Sequence, residues 1–547
     1  MQRISERKAL IAMSSDPFAG DIRLPATYQE AIKGIHAEYW KRALKTEIRS
    51  LRKHKVYKLV DKRSLPKRAN IISAKWVFKV KPNPDGTIER FKCRLCARGF
   101  LQKEGIDYLA TFSPVANSAS IKLLLALAAK GGLQLRQADV STAFLYGKLP
   151  KSERVYVTCP EGIDHEPGQV MELRRCIYGL KQASRRWFEK LRNVLTRAGY
   201  KPTKSDPCLY RRFKNGEETL VAVVVDDLLI ASTTDRGTKR VIRSLRKTGL
   251  ETKDLGHPEY VVGMHVRKHK NGDVSINQRL YIETLLRRFN MEEARGADTP
   301  ANPTVKLSDK LTPQTKEEQA KMSKIPYRQL VGALLYVLLT RPDCAVAVGE
   351  LTRFMSNPGK AMWTAAKRVL RYLKATMHVN VRFKARSQNK RGHRTRAHVD
   401  ASHAADPDKR RSRCGHVIEY NGTAILWRSI MQKRVALSTA EAEYRALTYA
   451  VKDIMWLRNI LAELGRRELA PTPINEDNRA CIAMVENPIV SARNKFIELD
   501  CHFVRDHQQM QHVRMVEVDT ANQVADMMTK NLPGPAFRKH RSTILDD

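Results

Sequence analysis

The sequence predicts a protein of several domains that mixes the α+β and α/β classes. The first observation is the length, because 547 residues are too many for one hydrophobic core and suggest three or four domains. The second is the hydrophobic content of 42%, which is typical of folded chains. The third is that apolar residues recur at strand spacing in some segments and at helix spacing in others.

The chain is strongly basic. It has 99 Lys and Arg against 57 Asp and Glu, a formal net charge of +42, and the excess runs along its whole length. A folded protein with this charge is expected to bind a polyanion, and nucleic acid is the first candidate. The alternative is a basic surface that serves only solubility.

The cysteines and the apolar runs point to a reducing, intracellular compartment. Nine cysteines are scattered along the chain, and the single CxxC, Cys93 and Cys96, has no second pair that would complete a zinc site. We expect ordinary thiols. The N-terminus lacks the apolar stretch of a signal peptide, and the longest apolar runs are far shorter than the roughly 18 residues of a membrane helix. No membrane association is expected.

The N-terminal segments predict an arm, a helix and a hairpin. Residues 1–30 have the mixed composition of an arm, and apolar residues recur at helical spacing over 39–51, where packing is the simplest interpretation. Residues 70–100 alternate in polarity on both sides of a turn at 83–86, which predicts a β-hairpin. Its basic residues, Lys92 and Arg94 among them, suit phosphate contact, although a solvated sheet face is the alternative.

The next segment combines a buried helix with a candidate acid. Residues 118–130 are apolar on nearly all sides and predict a buried helix, and the strand 133–138 then leads to Asp139 and, further on, Phe144. A lone Asp at a strand end is often only a cap or turn residue. Later, Gly179 precedes Gln182 at the start of a helix, which suits either a phosphate contact or a plain loop-to-helix junction.

The stretch Val221–Ile230, VAVVVDDLLI, predicts a hydrophobic hairpin with Asp226 and Asp227 at its tip. Two carboxylates repel each other there unless a divalent cation lies between them, and their hard oxygens suit Mg²⁺. An exposed turn is the alternative, since Asp is a common turn residue.

The middle of the chain predicts packing elements. Residues 278–291 form an amphipathic pattern, residues 297–325 have the composition of a loop or tether, and residues 327–343 and 363–376 predict two further helices. We assign these helices no chemistry.

A second set of acids follows from about residue 394. Asp400 lies on a predicted strand, and a hairpin then leads to a helix that starts at a Ser-Thr cap and carries Glu441 and Glu443 in its first turns. Asp477 follows a short strand, and Asp526 lies on a predicted last helix. Taken alone, Glu441 and Asp477 are each explained equally well as capping residues.

Many short motifs occur in one order and spacing over roughly residues 25–535. They are Trp76–Lys81 (WVFKVK), Arg90–Phe100 (RFKCRLCARGF), Gly105–Val115 (GIDYLATFSPV), Gln137–Gly147 (QADVSTAFLYG), Tyr178–Trp187 (YGLKQASRRW), Ser205–Tyr210 (SDPCLY), Val223–Ile230 (VVVDDLLI) and Leu255–Gly263. This series resembles the reverse transcriptase and RNase H portion of copia-type LTR retrotransposon polyproteins. Each motif alone is weak, but the ordered set is specific.

The resemblance implies a right-hand polymerase with fingers, palm and thumb, followed by an RNase H-like domain. It implies that Asp139, Asp226 and Asp227 hold two Mg²⁺ ions, with Mn²⁺ as a substitute, which activate the primer 3′-hydroxyl and bind the incoming triphosphate. The implied boundaries are an arm and leading helix over 1–70, fingers and palm over 71–255, primer grip, thumb-like and connecting helices over 256–393, and the RNase H-like domain over 394–547.

The resemblance also implies roles in substrate binding. Lys92 and Arg94 would contact the triphosphate, Gln182 would line the nucleotide pocket, and Phe144 matches the bulky residue that excludes a ribose 2′-hydroxyl. Val224 departs from the pattern, because the family usually has Tyr there. That change leaves the acids intact and puts efficiency or fidelity in question.

For the second set of acids, the resemblance implies that Asp400, Glu441, Asp477 and Asp526 hold two metal ions that act on the RNA strand of a hybrid. Glu441 is preferred to Glu443 because it follows Ser438-Thr439-Ala440 as in the family. Three positions depart from the pattern, and His502 is expected to be structural rather than a proton shuttle. The three departures are Ser402, His403 and Phe496.

The expected function is synthesis of DNA on retrotransposon RNA, with dNTPs, a DNA primer, an RNA template and an RNA–DNA hybrid as partners. The alternative is a decayed or domesticated copy that binds nucleic acid without catalysis. The family polyprotein also carries capsid, protease and integrase segments upstream, which are not recognisable here. We therefore expect a processed product, a truncated reading frame or a gene fragment.

Overall fold

The computed structural model describes residues 22–82, 87–386, 394–486 and 498–547. The predicted turn at 83–86 and most of the predicted arm lie outside these ranges. In the first half of the chain the elements are α1 (Tyr28–Lys33), α2 (Ala37–Lys53), β1 (Tyr57–Asp61), β2 (Ile71–Ile72), β3 (Ala74–Pro82), β4 (Ile88–Ala97), α3 (Ser118–Lys130), β5 (Gln134–Val140), β6 (Val155–Thr158), β7 (Gln169–Leu173), α4 (Ala183–Arg197), β8 (Lys201–Pro202), β9 (Leu209–Lys214), β10 (Glu217–Val224), β11 (Asp227–Ser232), α5 (Asp235–Lys247) and β12 (Thr252–Gly256).

The second half continues the same mixture of strands and helices. Its elements are β13 (Tyr260–Val261), β14 (Met264–Lys268), β15 (Val274–Asn277), α6 (Arg279–Arg288), α7 (Lys316–Ser323), α8 (Tyr327–Val337), α9 (Ala345–Thr352), α10 (Lys360–Ala375), β16 (Val381–Phe383), β17 (Thr395–Ser402), β18 (Arg413–Tyr420), β19 (Thr423–Met431), α11 (Thr439–Glu463), β20 (Thr472–Glu476), α12 (Arg479–Glu486), α13 (Glu498–Gln509), β21 (Val513–Glu517) and α14 (Gly534–Ile544).

A six-stranded sheet in the order β12-β5-β11-β10-β9-β8 forms the centre of the first half. Helix α3 packs against β10 and β11, and every residue from Ala119 to Ala129 is buried. The prediction of a buried helix is confirmed. Helix α3 is apolar on all sides because other elements surround it. The six-stranded sheet covers one side, and strands β15, β16 and β19 cover others.

The predicted hairpin of residues 70–100 is confirmed as β3 and β4, which pair in register from Ala74 with Ala97 to Lys81 with Arg90. Helix α2 packs its apolar side on β4, where the edge of the Trp40 ring meets Phe91 at 4.6 Å between ring centroids. A separate four-stranded sheet, β1-β7-β6-β2, lies in the same half.

The connecting region agrees with the sequence prediction only in part. Helices α6, α8 and α10 are found where the patterns predict them, although α8 ends at Val337 and not at residue 343. The sheet of order β13-β14-β15-β16 and helix α9 were not predicted, and α7 lies within 297–325, which we expected to be a loop. A reciprocal capping box between Thr315 and Glu318 begins this helix. The signal is present in the sequence as Thr315-x-x-Glu318 and outweighs the loop-like composition around it.

The C-terminal sheet has the order β19-β18-β17-β20-β21, with antiparallel pairs up to β17 and parallel pairs from β17 to β21. Helix α11 packs on β17 and β18. The predicted fold class, a multidomain α+β and α/β chain with a mixed sheet and helices at its C-terminus, is confirmed. No helix of the described ranges is both long and apolar enough to cross a membrane.

The two halves of the chain are joined by specific contacts. The Lys122 ammonium of α3 lies 3.2 Å from the centre of the Trp427 indole on β19. Glu463 on α11 accepts a 2.6 Å hydrogen bond from the Ser205 hydroxyl, and Arg466 forms an ion pair with Glu218. These contacts hold α11 against the six-stranded sheet.

Candidate active sites

The N-terminal acidic site consists of Asp139, Asp226 and Asp227. Strands β5 and β11 are antiparallel neighbours in which Asp139 and Asp227 are direct cross-strand partners. The predicted hairpin is confirmed, because β10 pairs with β11 up to Val224 and Asp227 and leaves Asp226 in the turn. The backbone carbonyl of Asp226 accepts a 2.9 Å bond from the Val140 N–H, which ties the turn to β5. Strands β5 and β11 and the turn before β11 thus bring three carboxylates to the same end of these two strands.

The turn itself is strained. Val225 adopts a φ of 59°, a left-handed conformation that a β-branched residue rarely takes. The indole N–H of Trp187, on α4, donates a 2.6 Å hydrogen bond to the Val225 carbonyl and holds this conformation. Backbone strain of this kind persists where surrounding structure fixes it, and it is enriched at functional sites.

The electrostatics of the site favour a cation. Burial, followed by the charges of Asp226 and Asp139, raises the pKa of Asp227 to about 6. Burial and the charge of Asp139 also raise the pKa of Asp226. A bound divalent cation would relieve this repulsion, and carboxylate oxygens are the ligands that Mg²⁺ prefers. These residues therefore fit a hard cation.

A basic cleft of about 1380 Å³ opens beside the N-terminal acidic site. Asp139 and Asp226 line it together with Lys92 and Arg94 of β4. Burial and the neighbouring cations, Arg94 first, lower the pKa of Lys92 to about 8. The Arg94 guanidinium lies 4.1 Å from the centre of the Tyr178 ring. The cleft therefore places cations next to acids, as a phosphate ester and its metal ions require.

The Tyr178 ring depends on a glycine. Gly179 has a φ of 87°, and a Cβ there would lie 2.2 Å from the carbonyl oxygen of Ala97 on β4. Tyr178 can therefore approach β4 closely only because Gly follows it. Phe144 meets the edge of the Tyr178 ring at 5.2 Å between centroids.

The structure places Gln182, which we expected to line a nucleotide pocket, in the protein interior. Gln182 is fully buried, donates a 2.8 Å bond to the Asp107 carbonyl and accepts a 3.0 Å bond from Gln102. The Lys181 ammonium likewise donates to Gln102 and to the Tyr108 hydroxyl. The plain loop-to-helix junction, which the sequence left open, describes this segment.

The C-terminal acidic site consists of Asp400, Glu443, Glu476, Asp477 and Asp526. Asp400, Glu443 and Asp477 each offer an oxygen, and these oxygens all lie within 4.8 Å of one another. Asp400 lies on β17 and Asp477 follows β20, and these two strands are parallel neighbours. In the described ranges this is the one set of three acids gathered so closely, and the N-terminal acidic site is more open.

The structure brings Glu443, and not the expected Glu441, next to Asp400 and Asp477. Glu441 accepts a 2.7 Å bond from the Leu437 N–H and forms a 2.6 Å ion pair with Arg445, so it caps its own helix. Glu443, two positions on, turns inward beside Asp400. The sequence pattern Ser438-x-x-Glu441 is typical of a helix cap, and it indicates that Glu441 belongs to the helix end.

Asp526 lies in a 3₁₀ turn, Val524–Met528, and not on the last helix, which is α14. Its carboxylate accepts a 2.8 Å bond from the Lys530 ammonium, which lies 3.5 Å from Asp400. The Thr529 hydroxyl donates to Asp400. Asp526 thus joins the site through Lys530, a cation that the sequence analysis overlooked.

The buried carboxylates of the C-terminal acidic site fit a divalent cation. Burial, then the charges of Glu476 and Asp400, raise the pKa of Glu443 well above its ordinary value. One oxygen of Glu443 and one of Glu476 are buried without a hydrogen-bond partner among the described residues. Orphaned oxygens of this kind are costly unless a cation completes them. Glu476, which is fully buried, was also overlooked.

The departures from the family pattern have different places. Ser402 ends β17, and the His403 ring nitrogen lies 3.0 Å from the Ala436 carbonyl. His502 is exposed on α13, and Phe496 lies outside the described residues. None of the described departures occupies a position of the three gathered acids.

Known proteins resemble this chain along most of its length. The family model described as "Reverse transcriptase (RNA-dependent DNA polymerase)" matches residues 54–303. The Pol polyprotein of transposon TNT 1-94 from Nicotiana tabacum is 38% identical over 522 residues, and that of transposon RE1 from Arabidopsis thaliana is 35% identical over 522 residues. The putative transposon Ty5-1 protein of Saccharomyces cerevisiae is 32% identical over 320 residues, which cover 100% of it and 58% of this chain.

This chain belongs to the copia-type retrotransposon Pol family. The match covers 94% of the chain but only 38% of the tobacco Pol polyprotein and 34% of the Arabidopsis one. Among solved structures, the foamy viral protease-reverse transcriptase in complex with an RNA/DNA hybrid is 11% identical. The superposition covers 95% of this chain and 57% of the foamy viral chain, with a TM-score of 0.43.

Removing one carboxylate of the N-terminal acidic site should stabilise this Pol chain when no metal is present. The pKa of Asp227 is about 6 in the folded protein and about 3.9 in an unfolded chain, so ionisation opposes folding above pH 6 and not below pH 4. After allowance for solvent screening, Asp227→Asn should raise the free energy of unfolding by about 1–2 kcal/mol at pH 7.5 and leave it nearly unchanged at pH 4. Chemical denaturation in EDTA at both pH values measures this.

Asp254→Asn is the matched control on the neighbouring strand β12. Burial alone would raise the pKa of Asp254, but the hydrogen bonds and charge of Arg136 bring it below its ordinary value. This substitution should therefore lower the free energy of unfolding at pH 7.5. A destabilising Asp227→Asn at pH 7.5 would show that the three carboxylates do not repel one another as described.

Proposed function

We propose that this chain is an RNA-directed DNA polymerase with a C-terminal ribonuclease H. It would copy retrotransposon RNA into DNA and degrade the RNA strand of the resulting hybrid. The observation that carries the proposal is the cross-strand pair Asp139 and Asp227, with Asp226 in the adjoining turn, at the wall of a cleft that also holds Lys92 and Arg94. The family membership supports the same activity.

In this proposal the acidic residues of the cleft bind metal ions and the basic residues bind the triphosphate. Asp139, Asp226 and Asp227 would hold two divalent cations, which when bound would acidify the primer 3′-hydroxyl and neutralise the leaving pyrophosphate. Lys92 and Arg94 would bind the triphosphate oxygens, because both lie in the cleft and Arg94 is oriented by the Tyr178 ring. Phe144, packed on that ring, would exclude a ribose 2′-hydroxyl.

The C-terminal acidic site would act on the RNA strand. Asp400, Glu443 and Asp477 would hold the cations that make water nucleophilic, and Asp526 would complete the set through Lys530. Glu443 replaces Glu441 in this assignment. A hybrid would be selected by its A-form shape and its 2′-hydroxyls.

The remaining assignments are part of the proposal. The partners would be dNTPs, an RNA template and a DNA primer, and other products of the same polyprotein. We propose the boundaries 1–70, 71–255, 256–393 and 394–547 for the arm, the fingers and palm, the connecting region and the nuclease. The reaction would take place inside the cell, in a virus-like particle of the cytoplasm or in the nucleus.

Primer extension on an RNA template tests the polymerase. With Mg²⁺ and dNTPs, wild type should extend a DNA primer, and Asp226→Asn/Asp227→Asn should lower the rate at least about a hundredfold because two cation ligands are lost. Asp254→Asn, a single change of the same type in the same sheet, should extend at nearly the wild-type rate. Equal extension by the double variant would rule out this acidic site, and no extension by wild type with binding retained would indicate a decayed copy.

Cleavage of the RNA strand in a labelled hybrid tests the nuclease separately. Glu443→Gln should lower the cleavage rate about a hundredfold or more, since the carboxylate beside Asp400 loses its charge. Glu441→Gln should change cleavage less than about threefold and lower stability by about 1 kcal/mol through its helix cap. The reverse pattern would restore Glu441 as the ligand.

A further inference from the structure

Two aromatic rings stack at the wall of the polymerase cleft. Tyr39 of α2 and Phe91 of β4 have ring centroids 4.9 Å apart and planes inclined by 18°. The buried Trp40 supports Phe91 from behind through an edge-to-face contact. We call Tyr39 and Phe91 the aromatic platform. The buried Trp40 therefore holds the Phe91 ring in place, and Tyr39 stacks on that ring.

The platform is open to solvent inside the cleft. Tyr39 is 53% exposed, although it is a large aromatic residue on a helix whose other side is well packed. Tyr39 and Phe91 line the same cleft as Asp139 and Asp226. Folding of α2 is already accounted for by its buried side, so the exposed ring adds little to the core.

A basic stripe runs from the platform along α2. The cations Arg42, Arg49 and Lys53, with the neutral Thr46 among them, follow Tyr39 at helical spacing, and all of them line the cleft. Lys53 is paired with Glu251, so the charge of the stripe comes chiefly from Arg42 and Arg49. The stripe therefore combines an exposed aromatic ring with cations on one helix face. Grooves that bind single-stranded nucleic acid combine the same two features, a stacking surface for bases and charges that follow the backbone.

The distance from the platform to the acids fits a few nucleotides. Phe91 lies three residues before Arg94 on β4, which corresponds to about 10 Å along the strand. Arg94 lines the cleft together with Asp139 and Asp226 and so lies beside the N-terminal acidic site. Because consecutive nucleotides of a stacked strand lie at least about 3.4 Å apart, this separation spans no more than about three nucleotides.

We propose that the aromatic platform stacks an unpaired base of the template strand. This inference rests on the proposed polymerase function and specifies what the cleft binds beside the acids. The ligand must be unpaired because bases inside a duplex have both faces covered by their neighbours. In a primer–template, the open faces belong to the template overhang beyond the primer end. Arg42 would contact the backbone of that overhang.

The test compares binding of two labelled primer–templates, one blunt-ended and one with six unpaired template nucleotides, in Mg²⁺-free buffer. Wild type should bind the overhang substrate about tenfold more tightly. Tyr39→Ala should remove most of this difference, because only the Arg42 contact to the overhang remains, and should leave the affinity for the blunt duplex and the melting temperature unchanged. Tyr39→Phe, which keeps the ring, should preserve the difference.

Salt dependence separates stacking from charge. Tyr39→Ala should leave the slope of log Kd against log salt unchanged, and Arg42→Ala should reduce it by about 0.7, the value of one single-strand phosphate contact. A salt slope that falls in Tyr39→Ala would overturn the stacking role. So would an overhang effect of undiminished size in Tyr39→Ala, or one that Tyr39→Phe reduces as much as Tyr39→Ala does.

One further result distinguishes a template base from an incoming nucleotide as the ligand of the platform. Another separates the platform proposal from the polymerase proposal. If Tyr39→Ala raises the KM for dNTPs and leaves the overhang effect intact, the platform binds the incoming nucleotide, and the template assignment is wrong. If wild type fails to extend primers but shows the expected overhang effect and its loss in Tyr39→Ala, the polymerase proposal fails and the platform stands. Binding is measured without catalysis, so each outcome decides one proposal.

Discussion

Mutual repulsion of carboxylates is the constraint on which the rest of this structure depends. Asp139 and Asp227 face each other across two strands, and Asp226 occupies a turn that forces Val225 into a left-handed conformation. Neither feature favours folding by itself. The buried six-stranded sheet, the helix α3 and the Trp187 hydrogen bond supply the stability that holds the carboxylates together. The proposed function accounts for this arrangement, because the substrate would bring both cations and a polyanion.

The C-terminal half repeats the same solution with deeper burial. There, Lys530 offsets part of the charge of Asp400 and Asp526, and oxygens of Glu443 and Glu476 remain without described partners. The two acidic sites are also linked mechanically, because α11 carries Glu443 near its start and contacts Ser205 through Glu463 at its end. One helix thus connects the C-terminal acidic site to the loop before β9, a strand of the sheet that carries the N-terminal acidic site.

The sequence was sufficient where a pattern determines the backbone and insufficient where side chains choose between neighbours. The apolar run around Asp226 and Asp227 predicted the hairpin because a two-residue turn between two apolar runs has few other solutions. The sequence did not separate Glu443 from Glu441, because both glutamates lie in the first turns of one helix and the bonds of Glu441 to Leu437 and Arg445 are set by side-chain conformation. The burial of Gln182 was not predicted, because it depends on Gln102 and Asp107, about 75 to 80 residues away. Such contacts leave no local signal.

The most direct test of this account is a crystal of the chain soaked with Mn²⁺ and measured at an anomalous wavelength. The account predicts at least one anomalous peak within coordination distance of Asp139, Asp226 and Asp227, and at least one among Asp400, Glu443 and Asp477. Each peak should weaken when the matching acids are changed to amides. Peaks at Glu441, or no peak at either acidic site at saturating Mn²⁺, would contradict the claim that these carboxylates are gathered to hold metal ions.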